Sequence, residues 1–144
     1  ETYNESSGMD AALLTMTPTK DAQVKIEFSG AKNGFYYHNA ITGEFDQVKG
    51  TRKSIGGFQS RAIDFQPCMV ILPSGSTLYA TTDGFQDQHN VQRKKFGRKR
   101  LEELIAGGVH LPLSEQKLVL TEQLQRHMEG TDQRDDILLI GFKI

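Results

Sequence analysis

Apolar and polar residues alternate with period two through much of the first half of the chain. Val24, Ile26 and Phe28 alternate with Lys25, Glu27 and Ser29, which predicts a strand over residues 23–29 with one face in the core and the other in water. Ahead of it, residues 9–17 are mostly apolar and stop at Pro18, the pattern of a buried strand. Short strands follow at 35–38 and 44–48, punctuated by Asn33-Gly34 and Thr42-Gly43, so this part reads as an antiparallel meander. Residues 50–57, with the Gly56-Gly57 pair, are expected to form a loop. A strand broken at Pro67 is expected over 61–72, and Pro73-Ser74-Gly75-Ser76 turns into an extended stretch at 77–82 rich in β-branched and aromatic residues.

The period then changes. Leu101, Leu104 and Ile105 fall at helical spacing, giving a helix over 96–106 that stops at Gly107-Gly108. Ser114 is placed to cap a second helix running to Met128, with Leu120, Leu124 and Met128 on one face and Gly130 ending it. An apolar strand at 137–144 closes the chain. Strands, two helices and a last strand, without βαβ alternation, predict an α+β layered domain.

Composition narrows the classes. A chain of 144 residues suits one domain or a large piece of one, and its formal charge of -1 gives no overall attraction to nucleic acid or anionic membrane. Cys68 is the sole cysteine, which excludes an internal disulfide and a cysteine-rich zinc site. No apolar run has membrane-spanning length and no signal peptide is evident, so no membrane contact and a cytoplasmic location are expected. The polar start at Glu1 reads as an entry cut into an existing domain.

Candidate chemistry gathers at two strand ends. Asp83 follows the strand at 77–82, with Gly84 beside it and Asp87 four residues on, a spacing that turns both carboxylates toward one space. Asp135 and Asp136 stand at the mouth of the last strand. Such acids repel one another unless a cation lies between them, and hard ions such as magnesium or manganese take oxygen ligands of this kind. An Asp-Gly pair is also an ordinary turn signal.

Other motifs are weaker. The glycine-rich stretch at 50–57 lacks P-loop spacing. The basic run from Arg93 to Arg100 could guide an acidic or phosphorylated protein or touch nucleic acid, but a solvated helix face balanced by Glu102 and Glu103 is favoured, since no aromatic platform interleaves with the basic residues. His38, His89, His110 and His127 show no paired ligand spacing, although His89 follows Asp87 closely. No Gly-x-Ser-x-Gly elbow occurs and Cys68 has no evident activator, which leaves metal-assisted hydrolysis of a phosphoryl group.

Taken in order, several segments resemble the metal-dependent type 2C protein phosphatases, in the bacterial SpoIIE-type branch. These are Thr82-Asp83-Gly84-Phe85-Gln86-Asp87, Phe96-Gly97-Arg98-Lys99-Arg100-Leu101 and Gln133-Arg134-Asp135-Asp136-Ile137. Upstream, Met9-Asp10-Ala11-Ala12-Leu13, the stretch from Phe28 to Gly34 and Lys53-Ser54-Ile55-Gly56-Gly57 follow the same branch.

The resemblance implies an αββα sandwich of antiparallel sheets flanked by helices, with residues 1–144 as the C-terminal part of a single catalytic domain, incomplete at its N-terminus. It implies manganese or magnesium, more than one ion in the intact domain, with Asp83 and Asp135 as ligands and Asp87 helping to hold an additional ion. Asp136 stands where many relatives have Asn. The implied activity is hydrolysis of phosphoserine or phosphothreonine on a regulatory protein, such as an anti-sigma-factor antagonist, in bacterial signal transduction.

Two departures stand out. The Asp-Gly-x-Gly-His-Gly-like motif, whose Asp bridges the metals in the family, is absent, and Ser76 replaces a frequent Asp. A fragment inactive alone, with uncovered sheet edges that favour self-association, is therefore expected. The alternative is a non-catalytic regulatory or interaction module that keeps the fold.

Overall fold

The computed structural model describes residues 8–57 and 62–144. It is an α+β fold whose strands pair antiparallel, and its residues fall into two compact units.

The first unit runs to Ser76 and includes Ile144. Here β1 (Gly8–Met9) pairs with β6 (Ile55–Gly56), and β3 (Gln23–Ala31) lies between β2 (Ala11–Pro18) and β7 (Cys68–Pro73). A further hairpin joins β4 (Phe35–His38) to β5 (Phe45–Val48). The period-two pattern of β3 is realised: Ile26 and Phe28 are buried, while Lys25 and Glu27 form an ion pair of 3.1 Å on the wet face. Phe28 meets Phe35 edge to face at 5.1 Å, and each fully buried side chain of this size contributes about 1.5–3 kcal/mol.

The second unit runs from Thr77 to Lys143. In it β8 (Thr77–Thr81) pairs with β9 (Leu139–Lys143), bringing together segments far apart in sequence. Between them come α1 (Gly84–Asp87), α2 (Arg98–Gly108) and α3 (Leu113–Met128). Leu78, Tyr79, Phe85, Phe96, Leu101, Ile105 and Leu120 are buried. Leu101 and Ile105 are two of the three positions that the helical period marked, and the third, Leu104, is half-buried.

Several expectations are corrected. The stretch at 9–17 is mostly exposed rather than buried: β2 is an edge strand, and among the described residues neither of its faces is covered along most of its length. The loop at 50–57 contains β6, and Thr51 bridges Ala31. The strand expected over 61–72 is shorter: Arg61 lies outside the described residues, 62–67 are irregular, and β7 starts just after Pro67, which has no N–H for a ladder. Pro112, not Ser114, is the N-cap of α3, its carbonyl accepting the N–H groups of Glu115 and Gln116. Among the described residues no helix is long and apolar enough to cross a membrane.

Candidate functional site

The ladder between β8 and β9 ends at Thr81 opposite Leu139, and Thr82 carries the connection further. Its N–H donates to the Leu138 carbonyl at 3.0 Å, and its hydroxyl donates to the Asp136 carbonyl at 3.0 Å while accepting the Leu138 N–H at 3.1 Å. One small β-branched residue thus clamps the end of one strand to the approach of the other. Immediately beyond it Asp83 caps α1, its carbonyl accepting the Asp87 N–H at 2.9 Å. Gly84 lies against the Asp136 backbone, where a Cβ would overlap the carbonyl oxygen. Asp83 and the Asp135-Asp136 pair are therefore held at neighbouring ends of two bonded strands.

Asp83, Asp135 and Asp87 differ in how committed they are. Asp83 is exposed and makes no capping bond with its side chain. Asp135 accepts the Asp136 N–H on one carboxylate oxygen at 2.8 Å, and its carbonyl accepts the Gln133 amide at 2.8 Å. Asp87 instead pairs with Lys95 at 2.9 Å, so its charge is already answered within the unit.

The sequence did not mark Gln88. It is 1% exposed, and its amide nitrogen donates to the carbonyls of His89 at 3.1 Å and Asp132 at 3.0 Å. Its amide oxygen accepts the Arg134 N–H at 3.3 Å. A buried amide with these partners fixes the acidic approach to β9 against the segment that follows α1, and leaving any of them unpaired would be costly. His127 adds to the same knot. Its Nε2 lies 3.2 Å from the carbonyls of both Gln88 and Lys94, and its Nδ1 lies 3.3 Å from Arg100. Two carbonyl acceptors on one side and a guanidinium donor on the other assign the proton to Nε2. The Nδ1 of His89 is buried without a hydrogen-bond partner among the described residues. A glutamine carries no sequence signal for burial, so only the fold could reveal the role of Gln88.

Deeper in the unit, Tyr79 on β8 donates its hydroxyl to the Gln116 side chain on α3 at 2.9 Å, and Gln116 donates to the Leu111 carbonyl at 2.8 Å. Burial raises the Tyr79 pKa above 10.0, opposed by hydrogen bonds with Gln116 and Thr77. In the first unit, Asp10 accepts the Ser54 hydroxyl at 2.6 Å and lies 3.4 Å from the Lys32 ammonium, which links the upstream segments named in the resemblance.

A hard divalent ion suits the carboxylates at the strand ends in kind, but not in number. Such an ion takes about six oxygen ligands, and among the described residues no group of three or more His, Cys, Asp or Glu side chains is arranged to hold a metal. The described residues therefore do not make a complete metal site.

A family model, Stage II sporulation protein E (SpoIIE), matches residues 7–144. Among solved structures, the SiaA-PP2C domain of Pseudomonas aeruginosa is similar at 30% identity and a TM-score of 0.72, over 83% of this chain and 46% of that one. The phosphatase domain of the cell fate determinant SpoIIE from Bacillus subtilis is 16% identical, with a TM-score of 0.55 over 93% of this chain and 58% of that one. The catalytic domain of the serine threonine protein phosphatase PstP, in complex with 2 manganese ions, is 12% identical, with a TM-score of 0.51 over 92% and 57%. The last two likenesses are of fold alone. The chain spans about half the length of these structures. Comparison with curated proteins gives no match. With its family match running over residues 7–144 and the fold of PP2C phosphatase domains, the chain belongs to the stage II sporulation protein E (SpoIIE) family.

Proposed function

We propose that this chain is part of a cytoplasmic, metal-dependent serine/threonine protein phosphatase, in which Asp83 and Asp135 bind manganese or magnesium. The observation that carries this reading is the clamp at Thr82, which holds the ends of β8 and β9 together with uncommitted carboxylate oxygens beside it. Residues beyond this chain, in the half of its relatives that it does not span, would supply the remaining ligands. Bound ions would supply Lewis acidity at the phosphoryl group and lower the pKa of a bound water. A role for Asp87 as a further ligand requires Lys95 to release it. The substrate is a phosphorylated regulatory protein, of which an anti-sigma-factor antagonist is one kind.

By itself the chain holds too few ligands and is inactive on phosphoserine peptides. The test is turnover with manganese in a protein that spans the full length of the relatives. Asp83→Asn and Asp135→Asn each keep shape and remove charge, so each should lower turnover by more than about a hundredfold, the upper range for an outer-shell change, with the thermal midpoint nearly unchanged. Unaltered turnover in both variants would remove the strand ends from the mechanism. The absence of a three-ligand group among the described residues favours a second reading, a non-catalytic interaction module. Manganese binding and hydrolysis by the longer protein decide between the two.

A further inference from the structure

Between Arg93 and Arg100 lie six cations: Arg93, Lys94, Lys95, Arg98, Lys99 and Arg100. Three are answered locally, Lys95 by Asp87 at 2.9 Å, Arg98 by Glu102 at 2.7 Å and Lys99 by Glu103 at 3.8 Å. That much agrees with a balanced helix face. Arg93, Lys94 and Arg100 are also exposed, and none has a carboxylate partner among the described residues. A surplus of positive charge is thus concentrated on a chain whose net charge is -1.

Surplus charges on freely moving stems would carry little information, but the backbone beneath these is fixed. The Asn90 side-chain oxygen accepts the N–H groups of Gln92 and Lys94 at 3.0 Å each, and the Asn90 N–H donates to the Lys94 carbonyl at 3.0 Å. Arg93 is held at φ 60, a left-handed conformation that a long side chain rarely adopts. The Arg100 guanidinium lies 4.2 Å over the Phe96 ring and 3.2 Å from the Gln123 side-chain oxygen. Stacking and hydrogen bonding restrict its rotamers in advance of any partner. The Asp87–Lys95 pair fastens this loop to the last residue of α1, one short helix away from Asp83.

We propose that residues 90–95 and the first turn of α2 form a docking surface for an acidic segment of the protein substrate, flanking its phosphorylated residue. The proposal rests on the phosphatase reading of the strand ends and names the substrate chemistry beside them. Charge complementarity at a pre-ordered patch favours encounter with acidic sequence and disfavours basic sequence. A peptide fits better than nucleic acid: Phe96 is buried and covered by Arg100, so it offers no ring face on which a base could stack.

The test follows fluorescence anisotropy of two labelled phosphoserine peptides of equal length on the purified protein. One has Asp and Glu flanks, the other Asn and Gln, and a labelled single-stranded oligonucleotide is run beside them. The acidic peptide should bind about tenfold tighter than the neutral one, with the preference shrinking as salt rises. Arg93→Asn with Lys94→Gln, which keeps a residue that tolerates the left-handed conformation, should reduce the preference to about threefold or less. Lys99→Gln, which removes a charge already paired with Glu103, should leave it within about twofold. Equal binding of the two peptides overturns the proposal, as does a preference unaltered in the double variant or tighter binding of the oligonucleotide. Hydrolysis of p-nitrophenyl phosphate by the longer protein separates the two readings. Preference without hydrolysis sinks the phosphatase reading alone, and hydrolysis without preference sinks the docking surface alone.

Discussion

Gly84 and Asp136 meet backbone to backbone, with no room between them for a Cβ. Gly84 does not have a positive φ, so glycine is needed there for space rather than for conformation. The Asp-Gly dipeptide is thus more than a turn signal. It allows the residue after one acid to pack directly against the segment that carries the others.

Gly84→Ala should therefore destabilise the protein by about 1–3 kcal/mol, the usual range for forcing a methyl into a packed place. The obstructing atoms are the backbone of Asp136 and cannot rotate away. Urea unfolding of the variant measures the loss, and a change below about 0.5 kcal/mol, the range of neutral surface substitutions, would mean that the two segments separate freely.

Gln88→Leu keeps volume and removes the amide. The carbonyls of His89 and Asp132 and the N–H of Arg134 lose their side-chain partner in bonds that are part-buried, which should cost about 1–3 kcal/mol together, at about 0.5–1.5 kcal/mol net for each hydrogen bond. Amide exchange at Arg134 should quicken beyond what the global loss explains. Unchanged protection there would show that Gln88 fills space without fixing the acidic segment.

Tyr79 gives the stability a defined alkaline limit. Its folded pKa is raised by burial above the ordinary value of 10.0, so the neutral phenol is bound more tightly in the folded state. The resulting stability is fully present below about pH 10 and is lost as pH rises through the folded pKa. Tyr37 adds in the same direction, raised by burial and then by the charges of Glu44 and Asp46. Tyr79→Phe should weaken the protein by about 1–3 kcal/mol at neutral pH, because Gln116 loses a partner, and should flatten the fall in stability above pH 10. An identical alkaline slope in wild type and variant would show that Tyr79 does not contribute to it.

Leu13, Met69 and Ile71 are exposed, and the register places them on one face of the sheet of β2, β3 and β7, with Lys25 and Glu27 between them. Self-association through apolar positions of this kind is expected of the isolated chain. Sedimentation velocity should show a concentration-dependent shift that Met69→Thr with Ile71→Thr reduces. A single species at all concentrations would contradict it.

Much of the layout was legible because it depends on local periodicity. The alternation in β3 and the 101, 104, 105 spacing in α2 each follow from one buried face. Two-residue strands such as β6 have no period to read, and the edge position of β2 depends on which strands are its neighbours. The carboxylates announced themselves by lying at strand ends, but Asp87 could not be matched to Lys95 from spacing alone. Gln88 was invisible for a deeper reason: its partners are backbone groups, and backbone groups are the same in every sequence.

The pairing of Thr77 with Lys143 has a consequence for how such a protein can change over time. The stretch between them leaves and returns at one place, an arrangement that tolerates cutting, rejoining and transplantation far better than a chain whose ends are remote. Two crossovers, one at each side of that doorway, would carry Asp83, Asp135, Gln88 and the basic loop together. Recombination could thus trade the whole acidic and basic ensemble as one inherited cassette without parting its members.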